Sequence, residues 1–254
     1  LKRTVDVFKR NYRYETLFFD NSRIINMIQK AYEMKSSLSL GRFGIGEISY
    51  LSWPTNTLLL EDFKRYQSYA GINGSPDIIK SELLTALKTV DIAGFIMPWR
   101  LEYWAQATDR VLENLKFFPK TICCAWLMHD MVHRGTLWTL LNNKKVILIG
   151  RRSQEAAPIF LEKGVTITGV FNLNGFEDLE TVFHSIVNET DWEIALISAG
   201  IPATILSPRI AKYSGKIAID FGHALDIILD GDSFNHSKLV EEWNSNRNKM
   251  DEDS

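Results

Sequence analysis

The second half of the chain constrains the fold most. From Lys144 onward, KKVILIG, VTITGVF, EIALISAG and KIAIDFG are nearly continuous apolar runs of strand length. Between them RRSQEAAPIFLEKG, NGFEDLETVFHSIVNE and IPATILSPRIAKYSG carry apolar residues at helical spacing, and Gly164 and Gly215 are placed to end two of these helices. A strand that is apolar at every position is covered on both faces, and strands joined through helices run parallel. The expected fold is therefore α/β, a Rossmann-like, mostly parallel sheet with helices on both faces.

The first half fits the same scheme less regularly. LSLGR, DIAGFIM and TICCAW read as strands. NSRIINMIQKAYEMKSS, capped by Asn21 or Ser22, reads as a helix, as do GEISYLSW, SPDIIKSELLTALKTVD and LEYWAQATDRVLENL. In the third of these Ser75 is a natural cap and Pro76 fits the first helical position. The expected division is an N-terminal helical segment over 1–35, one α/β domain over 36–235, and a C-terminal helix and charged tail over 236–254.

Composition excludes some classes. A net charge of -2 over 254 residues argues against a nucleic-acid partner, and no apolar run reaches the length of a membrane span. Cys123 and Cys124 are adjacent, which suits neither a zinc site nor a disulfide framework and favours a reducing compartment. With no secretory signal at the start, the expected location is cytoplasmic. Leu1 opens the chain in place of Met, which fits a domain cut from something longer and tethered to others; a homo-oligomer is a separate open possibility.

Ligands of open parallel sheets gather at the carboxyl ends of the strands. LIGRRS places Gly150, Arg151 and Arg152 at one such end, where guanidinium groups and a helix N-terminus suit a phosphate; a solvated βα loop is the plain alternative. No GxGxxG or GxxxxGK[ST] occurs to support a dinucleotide or Walker-type site. GVFNLNGF ends a second strand, with Asn174 read as a cap. ISAGIPATIL leaves little bulk at Ser198 and Gly200, which admits a ligand or simply tight packing. IDFGHALD clusters Asp220, His223 and Asp226, the densest titratable group in the chain. Upstream, RFGIGE ends the LSLGR run with Arg42, Gly44, Gly46 and Glu47. Two weaker features are MHDMVHRG, whose His129 and His133 read as a polar helix face, and PWRLEYW, whose aromatics and Arg100 suit a sugar or a domain interface.

RFGIGE, SAGIPATIL and DFGHALD, in that order, resemble the bacterial GT-D type glycosyltransferases, which carry an R-[FY]-G-D-G-E-like loop, then S-x-G-x-x-A-x-x-L, then D-[IF]-G-H. The resemblance implies transfer of a sugar from a UDP-sugar donor to a glycan or glycoprotein acceptor in cell-surface glycan synthesis. It implies a divalent cation, Mn2+ or Mg2+, bridging the donor diphosphate at a D-x-E motif. Ile45 stands where the first acid belongs, so Glu47 is the one remaining metal position and the cation is expected to be weakly held or absent. The candidate set is Glu47, Asp220, His223 and Asp226 for catalysis. Arg42, Gly44, Gly46, Gly150, Arg151, Arg152, Ser198 and Gly200 are the candidates around the donor. A nucleotide-sugar-binding module without catalysis, and a different Rossmann-like enzyme acting on a phosphorylated metabolite, are the two rivals.

Overall fold

The computed structural model describes residues 18–241. Seven strands form one all-parallel sheet: β1 (Leu38–Phe43), β2 (Ile92–Phe95), β3 (Ile122–Cys124), β4 (Lys145–Gly150), β5 (Thr166–Phe171), β6 (Ile194–Ser198) and β7 (Ile217–Asp220). Their spatial order is β3-β2-β1-β7-β6-β4-β5. The chain winds outward from β1 to β3, crosses to β4 and β5, and returns inward through β6 to β7, which pairs with β1.

Alternation along the buried strands sets the two helical layers. Ile147, Ile149, Ala195, Ile197 and Ala218 pack into one core. It is covered by α2 (Ile45–Ser52), α3 (Thr57–Phe63), α4 (Pro76–Thr89), α5 (Glu102–Leu115), α9 (Leu179–Asn188) and α10 (Ile201–Ser214). Val146, Leu148, Ile194, Leu196, Ile217 and Ile219 face the other way. There they meet α1 (Asn21–Glu33), α6 (Leu127–His133), α7 (Thr136–Leu141), α8 (Ser153–Glu162) and α11 (Ala224–Asp230). A two-residue period thus puts every second side chain into each core.

Local signals account for most element ends. Ser75 caps α4 by accepting from the Asp77 N–H at 3.3 Å, with Pro76 at the first helical position. Gly215 closes α10 in the left-handed region, with φ 71°. α1 is capped by Asp20, not by Asn21 or Ser22: the Asp20 carboxylate accepts from the Arg23 N–H at 3.0 Å. The segment 1–35 packs as a layer of the same body, since Ile24 and Ile28 share a core with Leu38 and Leu40. Residues 1–17 of that segment and the tail from 242 lie outside the described residues.

Candidate functional site

One cavity of about 820 Å³ runs along the carboxyl edge of the sheet. Residues at or after all seven strand ends line it. Arg42 and Glu47 come from β1, Ile96 from β2, Ala125, Trp126 and His129 from β3, and Arg151 and Arg152 from β4. Asn174 follows β5, Ser198 and Gly200 follow β6, and Asp220, Gly222, His223 and Asp226 follow β7. Its volume is that of a site for a small organic ligand.

The RFGIGE loop is held from within. Gly44 caps α2, and the Glu47 carboxylate reaches back to accept the Gly44 N–H at 2.8 Å, the reciprocal half of a capping box. Gly46 sits against the Phe63 ring, where a Cβ would lie 2.6 Å from Cζ. Glu47 is 8% exposed, and its second oxygen lies 3.2 Å from Thr204 Oγ1. That hydroxyl also faces the Arg42 carbonyl at 2.9 Å and Asp220 Oδ2 at 2.8 Å. A hydroxyl carries one proton and here meets three acceptors. A proton on Glu47, donated to the threonine oxygen, removes one of the three competitors and leaves the Arg42 carbonyl and Asp220 to share the hydroxyl proton. Consistently, burial first and the nearby Asp220 charge second push the Glu47 carboxyl from 4.5 up to about 7. Burial raises Asp220 as well, against the opposing pull of Arg42.

This cluster gives a pH dependence of known sign. Between pH 4.5 and about 7 the folded chain keeps a proton on Glu47 that the unfolded chain has lost, so stability falls as pH rises through that window and levels above it. The loss amounts to on the order of 3 kcal/mol at about 1.4 kcal/mol per unit. Glu47→Gln mimics the protonated acid. It is expected to flatten the pH 5–7 slope of the urea unfolding free energy, leaving the residual due to Asp220, and to exceed the parent in stability at pH 8. An unchanged slope would show that Glu47 is ionised in the fold.

Arg42 anchors the start of the same loop. Its Nε donates to the Ala125 carbonyl at 2.8 Å, its backbone N–H donates to Asp220 at 3.0 Å, and its Nη1 lies 3.9 Å from Asp220 Oδ1. Gly222 is left-handed, φ 52°, and a Cβ there would fall 1.0 Å from Arg42 Nη1. The glycine of DFGH is therefore the floor on which the guanidinium rests. The Ser198 hydroxyl donates to the Gly222 carbonyl at 2.6 Å. At Gly200, φ 63°, a Cβ would lie 2.5 Å from the Ala70 carbonyl oxygen, so this glycine admits the 66–72 loop.

The two arginines of GRRS differ. Arg152 commits all five of its N–H donors: to Glu155 twice, to Asp226 once and to Asp230 twice, at 2.7–3.0 Å. It is the counter-ion of three carboxylates and has no donor left for a phosphate in this arrangement. Arg151 lies over the Tyr69 ring, 5.1 Å from its centroid, and donates to the Tyr69 carbonyl.

His223 and Asp226 stand together, with Nδ1 and Oδ2 3.0 Å apart. Burial opposes the Asp226 charge, but the His223 hydrogen bond and the Arg152 pairing outweigh it and hold the acid below its ordinary range. An ionised carboxylate only accepts, so Nδ1 is the nitrogen that donates to Asp226, and a ring with a single hydrogen leaves Nε2 to accept. Tyr69 stacks on the imidazole at 5.8 Å, and His236 meets it edge-on at 4.6 Å.

Several lining residues escaped the sequence reading. Tyr66 and Tyr69 sit in the stretch after α3, where no periodicity marks a function. Phe234 and His236 were placed at the edge of the domain. MHDMVH is not simply a polar face: His133 is exposed, but His129 is 9% exposed, lines the cavity, and its Nε2 has no hydrogen-bond partner among the described residues. Its position right after β3 was the available signal. Asn174 is not a cap; its own N–H is taken by the Asp178 carboxylate at 3.1 Å, and the residue lines the cavity.

A cation bridging a donor diphosphate requires carboxylates free to ligate it. Ile45 offers no ligand, and both Glu47 oxygens are engaged within the protein. No group of three or more His, Cys, Asp or Glu side chains able to hold a metal ion occurs among the described residues. The residues present do not fit a protein-held cation.

A family model, the GT-D fold-like domain, matches residues 19–228. The chain belongs to this family. The GT-D-like chain also superposes on solved structures of the domain of unknown function 1792. One is described as having a distinct glycosyltransferase fold, with TM-score 0.61, 14% identity, and 86% of this chain and 83% of that chain covered. Another, a new glycosyltransferase from Streptococcus sanguinis, matches with TM-score 0.59 at 14% identity, covering 86% of each chain. At this identity the likeness speaks for the fold. No curated protein matches. No helix of the described residues is long and apolar enough to cross a membrane.

Proposed function

We propose that this GT-D-like chain is a glycosyltransferase that takes a UDP-sugar and passes its sugar to a glycan or glycoprotein acceptor without a protein-held cation. The observation that carries the reading is the His223–Asp226 pair, with Arg152 behind it, opening on a ligand-sized cavity. The acceptor oxygen forms its bond to the anomeric carbon as the bond from that carbon to the diphosphate breaks. The hydroxyl proton passes to His223 Nε2, and the electron pair leaves with the diphosphate. Asp226 orients the ring and stabilises the imidazolium. Arg151 supplies positive charge toward the leaving group.

Titration calorimetry with UDP-glucose and UDP-N-acetylglucosamine, with Mn2+ and with EDTA, tests the donor class. Equal affinity in both buffers is expected. Tight binding only with the metal would defeat the cation-independent version, and binding of neither donor would defeat the nucleotide-sugar reading. The commitment of Glu47 to the α2 cap also suits a binding module without catalysis. Donor hydrolysis followed over hours separates the two, since the module yields no free sugar.

A further inference from the structure

The β2–β3 end of the cavity differs in chemistry from the rest. It is lined by Ile96, Ala125, Trp126 and His129, with Arg42 at its inner border. Arg42 is engaged with Ala125 and Asp220, and the neighbouring Arg100 pairs with Asp130 at 2.7 Å while lying 6.0 Å from the centre of the Trp126 ring. An anion here would meet guanidinium groups already held by the protein. What remains is apolar surface, an aromatic side chain and one imidazole. His129 is held in place by α6 among the buried Leu127, Met128 and Met131. Burial, reinforced by the charge of Arg42, drives its proton affinity far down, so the ring is neutral and can both donate and accept.

A buried polar nitrogen without a partner is uncommon in a folded chain and costs stability unless something satisfies it. No other step of the proposed reaction uses His129. We infer that the β2–β3 end is a saccharide subsite, in which Trp126 offers its ring to the apolar face of a pyranose and His129 exchanges a hydrogen bond with one of its hydroxyls. Neutral hydroxyls suit a neutral imidazole, and sugar faces suit aromatic walls. The sugar belongs either to the donor or to the acceptor. The inference rests on the glycosyltransferase reading for its ligand class but not for its geometry.

Long-range proton–nitrogen spectra of the intact protein report on the His129 ring directly. UDP, UDP-glucose and methyl glucoside are added in turn. A shift of the His129 nitrogens with UDP-glucose but not UDP assigns the donor sugar, and a shift with methyl glucoside but not UDP-glucose assigns an acceptor sugar. No shift with either sugar overturns the subsite, even if UDP binds. A shift with methyl glucoside when no nucleotide binds keeps the subsite and removes the UDP-sugar reading. In parallel, His129→Phe is expected to keep or raise the Tm while weakening the responding sugar ligand about tenfold, the worth of one hydrogen bond, with His129→Gln recovering part of it. A lowered Tm with unchanged sugar affinity would make His129 a structural residue only.

Discussion

His223→Ala is expected to lower sugar transfer by about 10²–10⁴-fold, the usual worth of a positioned general base, while donor affinity stays close to that of the parent. The ring is partly exposed, its Nδ1 is tied to Asp226, and its other nitrogen is the one available to an acceptor hydroxyl. Asp226→Asn should fall within the same range for a different reason. An asparagine can present its NH2 to Nδ1, which would place the imidazole hydrogen on Nε2 and remove the base without removing the ring. It also leaves Arg152 with Asp230 and Glu155, so the fold should survive. Single-turnover transfer at saturating donor checks both. Parent-like rates in both variants would remove the pair from the chemistry.

Gly150→Ala is expected to be the most damaging single methyl in the domain. Gly150 ends β4 with φ 145°, and a Cβ there would lie 2.2 Å from the Ser198 carbonyl oxygen and 2.9 Å from its carbon. Both atoms belong to the backbone of β6, a strand paired on both sides, so no flexible side chain can yield. Overpacking added to backbone strain places the loss at about 4 kcal/mol or more, in the range reserved for named structural faults. Urea unfolding, or failure to recover soluble protein, measures it. Gly150 was a donor-binding candidate in the sequence, but its geometry gives it a simpler task, the close approach of β4 and β6.

Much of the architecture was legible because β4 to β7 are apolar at nearly every position and alternate with helices of ordinary length. The strand-end logic likewise pointed to Ser198, Asp220 and His223, and the RFGIGE motif to Arg42, before any geometry, and the structure gathers them around one cavity. What a one-dimensional reading misses is commitment. Arg151 and Arg152 look alike in GRRS, yet only coordinates reveal that three carboxylates occupy Arg152. Glu47 looks like a free ligand in RFGIGE, yet Gly44 and Thr204 hold it. Thr204 carries no motif signal of its own, and its value comes from three acceptors arriving from β1, α2 and β7. His129 read as part of a polar helix face because MHDMVH has Asp130 where a zinc site needs glutamate and no third ligand is evident, and the burial that separates it from His133 is not written in the sequence.

The return of β7 to pair with β1 has a consequence for how the molecule is built. Leu38 and Ile217 are neighbours across the sheet, although nearly the whole domain separates them in sequence. β1 is made long before the strand that closes its second edge, whereas β4 and β5 are joined by a single helix. Closure entropy is then met at the end, in the step that also brings Asp220 to Arg42 and Thr204. The ligand edge therefore depends on that long-range closure, and a chain without β7 has neither Asp220 nor the strand that joins the two halves of the sheet.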